Sequence, residues 1–382
     1  MTSVVPGPRS EADAFQPAER LADEPALLRD PEVAGILKGT PGRLGRVGLD
    51  RAQLHDLLWR MVLLRVFDER AVAYQRQGRI GTYPTYWGEE AIQAGAVSAT
   101  QDRDWLFPSY RQACLGVLRG QDPGDYLRLW RGDARGLRSP RAYNTAPPCV
   151  PIATHLPHAV GVAWAARLRG DDVVSMAFFG DGATSEGDFH EGMNNAAVLN
   201  AGTVFVCTNN QWAISTPVSA QTRVTTMASK AAAYGMPAVR VDGFDVLAVH
   251  LACREAVERA RAGGGPSFIE AVCYRVGPHG TADDPSLYRD DAEAQEWRRI
   301  EPVTRFLRWL EHNGLDEEGL EERFRATARS LIGDAMGAIE ADSPPPPSTV
   351  IETTYASTPE AVRRHLDGML ADRSGQGSGS AP

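Results

Sequence analysis

The stretch Phe178–Asp188, "FFGDGATSEGD", sets an aspartate between two glycines at the end of an apolar run. It follows "DVVSMAFF", a short buried-strand pattern, and precedes a helical segment from about Asp188 to Leu199. Gly180, Asp181 and Gly182 are therefore expected just past the carboxyl end of a strand, where open α/β sheets place ligands. Glycines there let a backbone approach a phosphate group, and the next helix offers free N–H groups and a positive dipole end. Asp181 would repel phosphate, so a divalent cation has to stand between them. Magnesium fits, because it takes oxygen ligands and bridges carboxylate to phosphate oxygens. Read alone, the tripeptide also suits a tight strand-to-helix turn with a capping aspartate.

The flanking sequence supplies the setting. An apolar-periodic segment from Arg51 to Gln77 reads as one long helix, a second helix starts after Gly88 at "EEAIQAGAVSA", and a third runs from Ala153 to a stop at Gly170. After the glycine loop come the strands "GTVFVCT", "MPAVRVDG" and "SFIEAVCYRVG", with the amphipathic helix "DVLAVHLACREAVERARAGGG" before the last. Apolar strands alternating with helices predict an α/β fold, a parallel sheet covered on both faces, with a helical part beyond Glu301. Residues 1–48 read as an N-terminal extended arm, 49–342 as the domain, and 343–382 as a Pro-rich spacer ("SPPPPS") and C-terminal tail.

Composition narrows the function. The formal net charge of −9 over 382 residues leaves no basic face for nucleic acid or an anionic membrane. No apolar run reaches the length of a membrane span. The acidic first thirty residues carry no secretory or transit signal, so a cytoplasmic location is expected. The five scattered cysteines read as small buried hydrophobes. A nicotinamide-binding fingerprint is missing, since the glycines of "GTPGRLGRVG" have other spacings and no strand before them. A two-metal phosphohydrolase would need a second carboxylate cluster.

Where "VFVCTNNQWAIS" leaves its strand stand Asn209 and Asn210, separated from Gly182 by the 26 residues 183–208. That interval is one helix plus one strand, which returns the chain to the same sheet edge. The Gly-Asp-Gly and Asn-Asn pattern at this spacing resembles the thiamine diphosphate motif. The blocks "RQGRIGTYPTYWGEEA", "LFPSYRQA", "PIATHLPHAVGVAWAA", "GDGATSEGDFHEGMNNAAV", "NNQWAISTP" and "YRVGPHGTADDPSLYR" follow the order found in alpha subunits of the 2-oxo acid dehydrogenases. The similarity spans about residues 50 to 330. It implies a thiamine diphosphate-binding fold.

The resemblance implies that Asp181 and Asn210 ligate magnesium through side chains and Trp212 through its carbonyl. Tyr110 and Arg111 match the pair that contacts the diphosphate, a role suited to the planar guanidinium. Gly180, Gly182 and Ala183 supply close backbone approach, and Ile152 matches the aliphatic residue that props the bent cofactor. His279 matches the active-site histidine, and Arg275, Asp283, Tyr288 and Arg289 match residues that order its loop by ion pairs and hydrogen bonds. Two positions depart from the pattern: Thr208 stands where branched-chain members carry arginine, and Gly280 where animal relatives carry a regulatory phosphoserine.

The glutamate that activates thiamine belongs to the beta subunit in two-chain members of the family. Glu89 and Glu90 lie in the wrong block for that role and are expected to favour a helix N-terminus. The implied partners are a beta subunit, as two alpha plus two beta chains, and a lipoyl-bearing transacylase. The implied reaction is oxidative decarboxylation of a 2-oxo acid with reductive acylation of the lipoyl group. The spacing of "GPHGTADDPSLYR" favours branched-chain acids, with pyruvate or acetoin as the alternative and a non-catalytic scaffold as the alternative of another class.

Overall fold

The computed structural model describes residues 25–37, 44–137, 141–346, 348–352 and 354–376. Its centre is a six-stranded parallel sheet of β1 (Val33–Ala34), β2 (Trp105–Phe107), β3 (Ser175–Gly180), β4 (Thr203–Asn209), β7 (Ala238–Asp242) and β8 (Ser267–Val272), in the order β1-β7-β8-β4-β3-β2. A two-stranded hairpin, β5 (Trp212–Ala213) and β6 (Thr216–Pro217), stands beyond the end of β4.

Both faces of the sheet are covered. Successive residues of a strand point to opposite faces, and along β3 Phe178 enters one apolar cluster while Phe179 enters another. Phe179 packs with Phe189, Phe205 and Phe268 against the helices His155–Arg169 and Gly187–Val198. Phe178 lies with Met176, Val204 and Ile269 beneath the helices Arg51–Arg76, Glu90–Ser98 and Val246–Arg261. This double burial is why the strands read as near-continuous apolar runs.

The long helix starts at a reciprocal cap, in which Asp50 accepts from the Gln53 N–H and Gln53 returns a bond to Asp50. Such a cap contributes on the order of 1 kcal/mol. Arg65, inside that helix, is buried between Glu90 and Glu301 at 2.7 and 2.6 Å. It ties three helical segments together. Gly170 closes its helix in the left-handed conformation, as its position predicts. Among the described residues no helix is long and apolar enough to cross a membrane.

Both ends of the chain depart from the sequence reading. Of the segment read as an extended arm, residues 1–24 and 38–43 lie outside the described residues. Its described part adds β1 to the sheet edge, with Leu28, Val33, Ile36, Leu37 and Val47 buried. Asp245 secures it by accepting the backbone N–H groups of Ile36 and Leu37. At the other end, a helix spans Glu360–Gln376 where a spacer and tail are expected. All five cysteines are free, and Cys149 alone among them is partly exposed.

Candidate active site

Asp181 and Asn210 meet because β3 and β4 are adjacent and in register, Gly180 opposite Thr208. The chain leaves both strands on one side, at their carboxyl ends. There a cavity of about 170 Å³ is lined by Tyr110, Arg111, Ile152, Gly180–Ala183, Asn210 and Trp212, together with His155. Arg111 arrives from the turn after β2. His279 comes from the loop after β8 and adjoins the cavity through Arg111 and Tyr110.

Each side chain is held from several directions. The Asp181 carboxylate, 1% exposed, accepts a bond from Gln221 Nε2 at 2.8 Å and has no ion pair among the described residues. Burial pushes its carboxyl above the usual carboxylate range. Past the end of its strand, Asp181 is therefore buried and not on an exposed loop. Asn210 donates through Nδ2 to Glu89 Oε1 at 2.8 Å and accepts the Trp212 N–H through Oδ1 at 3.2 Å. The Trp212 carbonyl accepts from Arg275 at 3.2 Å.

Arg111 is buried and reaches the Thr85 carbonyl, His279 Nδ1 at 3.1 Å and the His279 carbonyl at 3.2 Å. A guanidinium has only donors, so Nδ1 is the acceptor and the neutral imidazole carries its proton on Nε2. Desolvation, then Arg111 and Arg275, push the His279 pKa down to about 4. The ring is therefore uncharged near neutrality and offers an N–H donor, rather than a cation for a substrate carboxylate.

The four residues singled out for the His279 loop make hydrogen bonds in and around it, with no ion pair between them among the described residues. Asp283 accepts the His279 N–H at 2.7 Å and the Tyr288 hydroxyl at 2.5 Å. Arg275 donates to Tyr288 and to the Ile214 carbonyl, and Arg289 donates to the carbonyls of Arg275, Val276 and Gly277. The loop is thus held by protein groups alone.

Gly182 has a different reason from the one expected. A Cβ on Gly182 would lie 2.7 Å from the Ala213 side chain, so it is the hairpin that requires glycine there. A Cβ on Gly180 would meet only the Thr208 carbonyl, at 4.0 Å, which leaves room for a ligand. A 3-10 segment, Asp181–Ser185, precedes the helix, so that helix begins at Gly187 and not at the motif. Ile152, which by itself reads as core, is 39% exposed at the cavity. Thr208 is fully buried with its hydroxyl unpartnered, and brings no cation to the site.

Sequence reasoning missed several groups. Glu89 and Glu90 are fully buried; Glu90 pairs with Arg65, and Glu89 joins Asn210 to Gln112. Nothing local in "WGEEA" distinguishes them from ordinary helix-start acids. Gln221 carries no signal at all. Ala153, Gln211 and Ile214 adopt positive φ of 65°, 73° and 56° around the cavity, strain of order 1–3 kcal/mol each that the surrounding packing must hold.

A profile of the family described as "Dehydrogenase E1 component" matches residues 59–348. The chain belongs to this family. It is 44% identical over 354 residues to the 3-methyl-2-oxobutanoate dehydrogenase subunit alpha of Mycobacterium tuberculosis, covering 91% of this chain and 95% of that one. It is 38% identical over 316 residues to the pyruvate dehydrogenase E1 component subunit alpha of Staphylococcus aureus, covering 82% and 85%. Thiamine diphosphate is the cofactor inherent to E1 components, and the cavity of this E1 chain suits its anionic end. Arg111 and Arg275 supply positive charge, while Asp181 is a buried carboxylate that a cation would relieve. Among the described residues no cluster of three His, Cys, Asp or Glu side chains could hold a metal. The donors present are one carboxylate, one amide oxygen and one carbonyl, a set that suits a hard, oxygen-seeking cation.

Proposed function

We propose that this chain is the alpha subunit of the decarboxylating component of a branched-chain 2-oxo acid dehydrogenase complex. It would hold thiamine diphosphate and magnesium, and act with a beta subunit, as two of each chain, and a lipoyl-bearing transacylase. The observation that carries the site reading is the convergence of Asp181, Asn210 and Trp212 at the ends of two adjacent strands, beside Arg111. The branched-chain assignment rests on the 44% identity to the 3-methyl-2-oxobutanoate enzyme's alpha subunit. The pyruvate enzyme's alpha subunit, at 38%, supports the second reading. A scaffold role is disfavoured, because a chain without chemistry has no use for a buried carboxylate that lacks an ion pair among the described residues. A cytoplasmic location belongs to the same proposal.

The residues divide the work. Asp181, the Asn210 amide oxygen and the Trp212 carbonyl would hold the metal, and Tyr110 and Arg111 the diphosphate. Ala183 and Gly180 leave the backbone accessible, and Ile152 presents an apolar surface. Bound there, thiamine diphosphate would supply the electron sink for decarboxylation. His279, neutral and with Nδ1 engaged by Arg111, presents its Nε2–H as a hydrogen-bond donor toward the reacting end of the substrate. Arg275, Asp283, Tyr288 and Arg289 keep that ring in place. The activating glutamate would come from the beta subunit, since Glu89 is already bonded to Asn210 and Gln112.

The test is reconstitution with the co-expressed beta chain and comparison of decarboxylation and lipoyl acylation with 3-methyl-2-oxobutanoate and pyruvate. The alpha chain alone should be inactive, and the pair should prefer the branched acid. Turnover by the alpha chain alone would refute the division between subunits, and a preference for pyruvate would reverse the substrate assignment.

A further inference from the structure

Glu89 is fully buried, immediately before the helix Glu90–Ser98, yet its side chain makes no capping bond to that helix. Both carboxylate oxygens are turned to the active site instead. Oε1 accepts Asn210 Nδ2 at 2.8 Å, Oε2 accepts Gln112 Nε2 at 2.9 Å, and Arg111 Nε stands 3.7 Å away. Gln112 in turn accepts the Ser109 hydroxyl at 2.6 Å through its own oxygen, which leaves its amide to donate to Glu89.

The two ends of an asparagine amide are almost the same size, so shape alone does not decide which faces a cation. A carboxylate can only accept. With Glu89 beside it, Asn210 must turn Nδ2 toward Glu89 and Oδ1 the other way, where the Trp212 N–H steadies it. We propose that Glu89 is a positioning residue, which orients the Asn210 amide so that its oxygen faces the metal and anchors Gln112 and Arg111 on the same carboxylate. This inference rests on the proposed metal role of Asn210. A partner that orients a metal ligand in this way commonly changes metal affinity by about 10–100-fold when removed.

The experiment measures magnesium binding by titration calorimetry, on the assembled alpha–beta protein with saturating thiamine diphosphate. In Glu89→Gln the new amide keeps one oxygen for Gln112 and turns its NH₂ to residue 210. The Asn210 amide should then flip and present its own NH₂ to the metal, weakening magnesium binding about 10–100-fold. Combining Glu89→Gln with Asn210→Asp restores an acceptor toward the new amide and an oxygen toward the metal, so affinity should return most of the way. A structural role for Glu89 would not produce that rescue. Native affinity in Glu89→Gln, or a double variant no better than Glu89→Gln, overturns the inference. Asn210→Ala separates the two levels. If it binds magnesium as tightly as the native protein, the reading of the metal site fails. If it is weakened while Glu89→Gln is not, only the role of Glu89 fails. Thermal unfolding of each variant without metal shows whether the fold is kept, and an isosteric Glu89→Gln that loses its fold marks Glu89 as structural and overturns the inference as well.

Discussion

Arg111 Nη2 lies 3.1 Å from His279 Nδ1, so an arginine from the turn after β2 sets the tautomer of a histidine on the loop after β8. The same arginine donates to the His279 carbonyl, at 3.2 Å. Replacing the ring removes one of these contacts and spares the other, which makes the chemistry of His279 separable from the architecture of its loop.

His279→Ala is therefore expected to keep magnesium and cofactor affinity while acylation of the lipoyl domain falls about 10²-fold or more. Stopped-flow acylation and calorimetry on the same preparation check both halves. With the ring's pKa pushed to about 4, its contribution should be flat from pH 6 to 8. A limb near pH 6.5 that disappears in His279→Ala would show that the imidazolium form does the work. Arg289→Ala, which removes bonds to three loop carbonyls, should instead expose residues 277–289 to limited proteolysis.

Asp181→Asn should abolish magnesium-dependent cofactor binding without lowering the thermal midpoint measured in the absence of metal. The asparagine can still accept from Gln221, and the change removes a buried charge that has no ion pair among the described residues. Unchanged magnesium affinity would remove Asp181 from the metal site.

The two glycines of the motif should respond differently to alanine. Gly182→Ala sets a methyl group 2.7 Å from Ala213 and should destabilise the fold by about 1–3 kcal/mol as the hairpin is displaced. Gly180→Ala has its nearest neighbour at 4.0 Å and should fold normally, while binding thiamine diphosphate more weakly. Chemical denaturation and cofactor titration distinguish them, and equal stability losses in the two variants would contradict the geometry.

Asp68 offers a clean pH test. Desolvation raises its pKa from 3.8 to about 7, against the lowering effect of the Tyr86 N–H. A carboxyl whose folded pKa is raised contributes stability below its unfolded pKa and loses it as pH climbs through the folded value. The native protein should thus lose stability relative to Asp68→Asn between about pH 4 and pH 7, by at most roughly 4 kcal/mol. Denaturation of both proteins at pH 4 and pH 8 measures this. A stability difference independent of pH would show that Asp68 is ionised throughout.

The local sequence was sufficient for the elements that depend on it. The apolar runs of β3 and β4 read as doubly covered strands, and the length of chain between Gly182 and Asn209 placed two loop ends side by side. Short-range chemistry also announced Gly170 as a helix stop, while it was the family resemblance that singled out Asp181 and Asn210 together. The burial of Asp181 was not legible, because what covers it is a distant hairpin and Gln221. Nor was the reason for Gly182, which lies in Ala213, thirty-one positions along the chain. Glu89 and Glu90 are neighbours in sequence with opposite assignments, one turned to Asn210 and the other to Arg65. Which acid faces which partner depends on how three helices and a loop converge. A sequence carries the residue types and their spacing, but the direction of a hydrogen bond between distant residues exists only once packing has brought them within 3 Å.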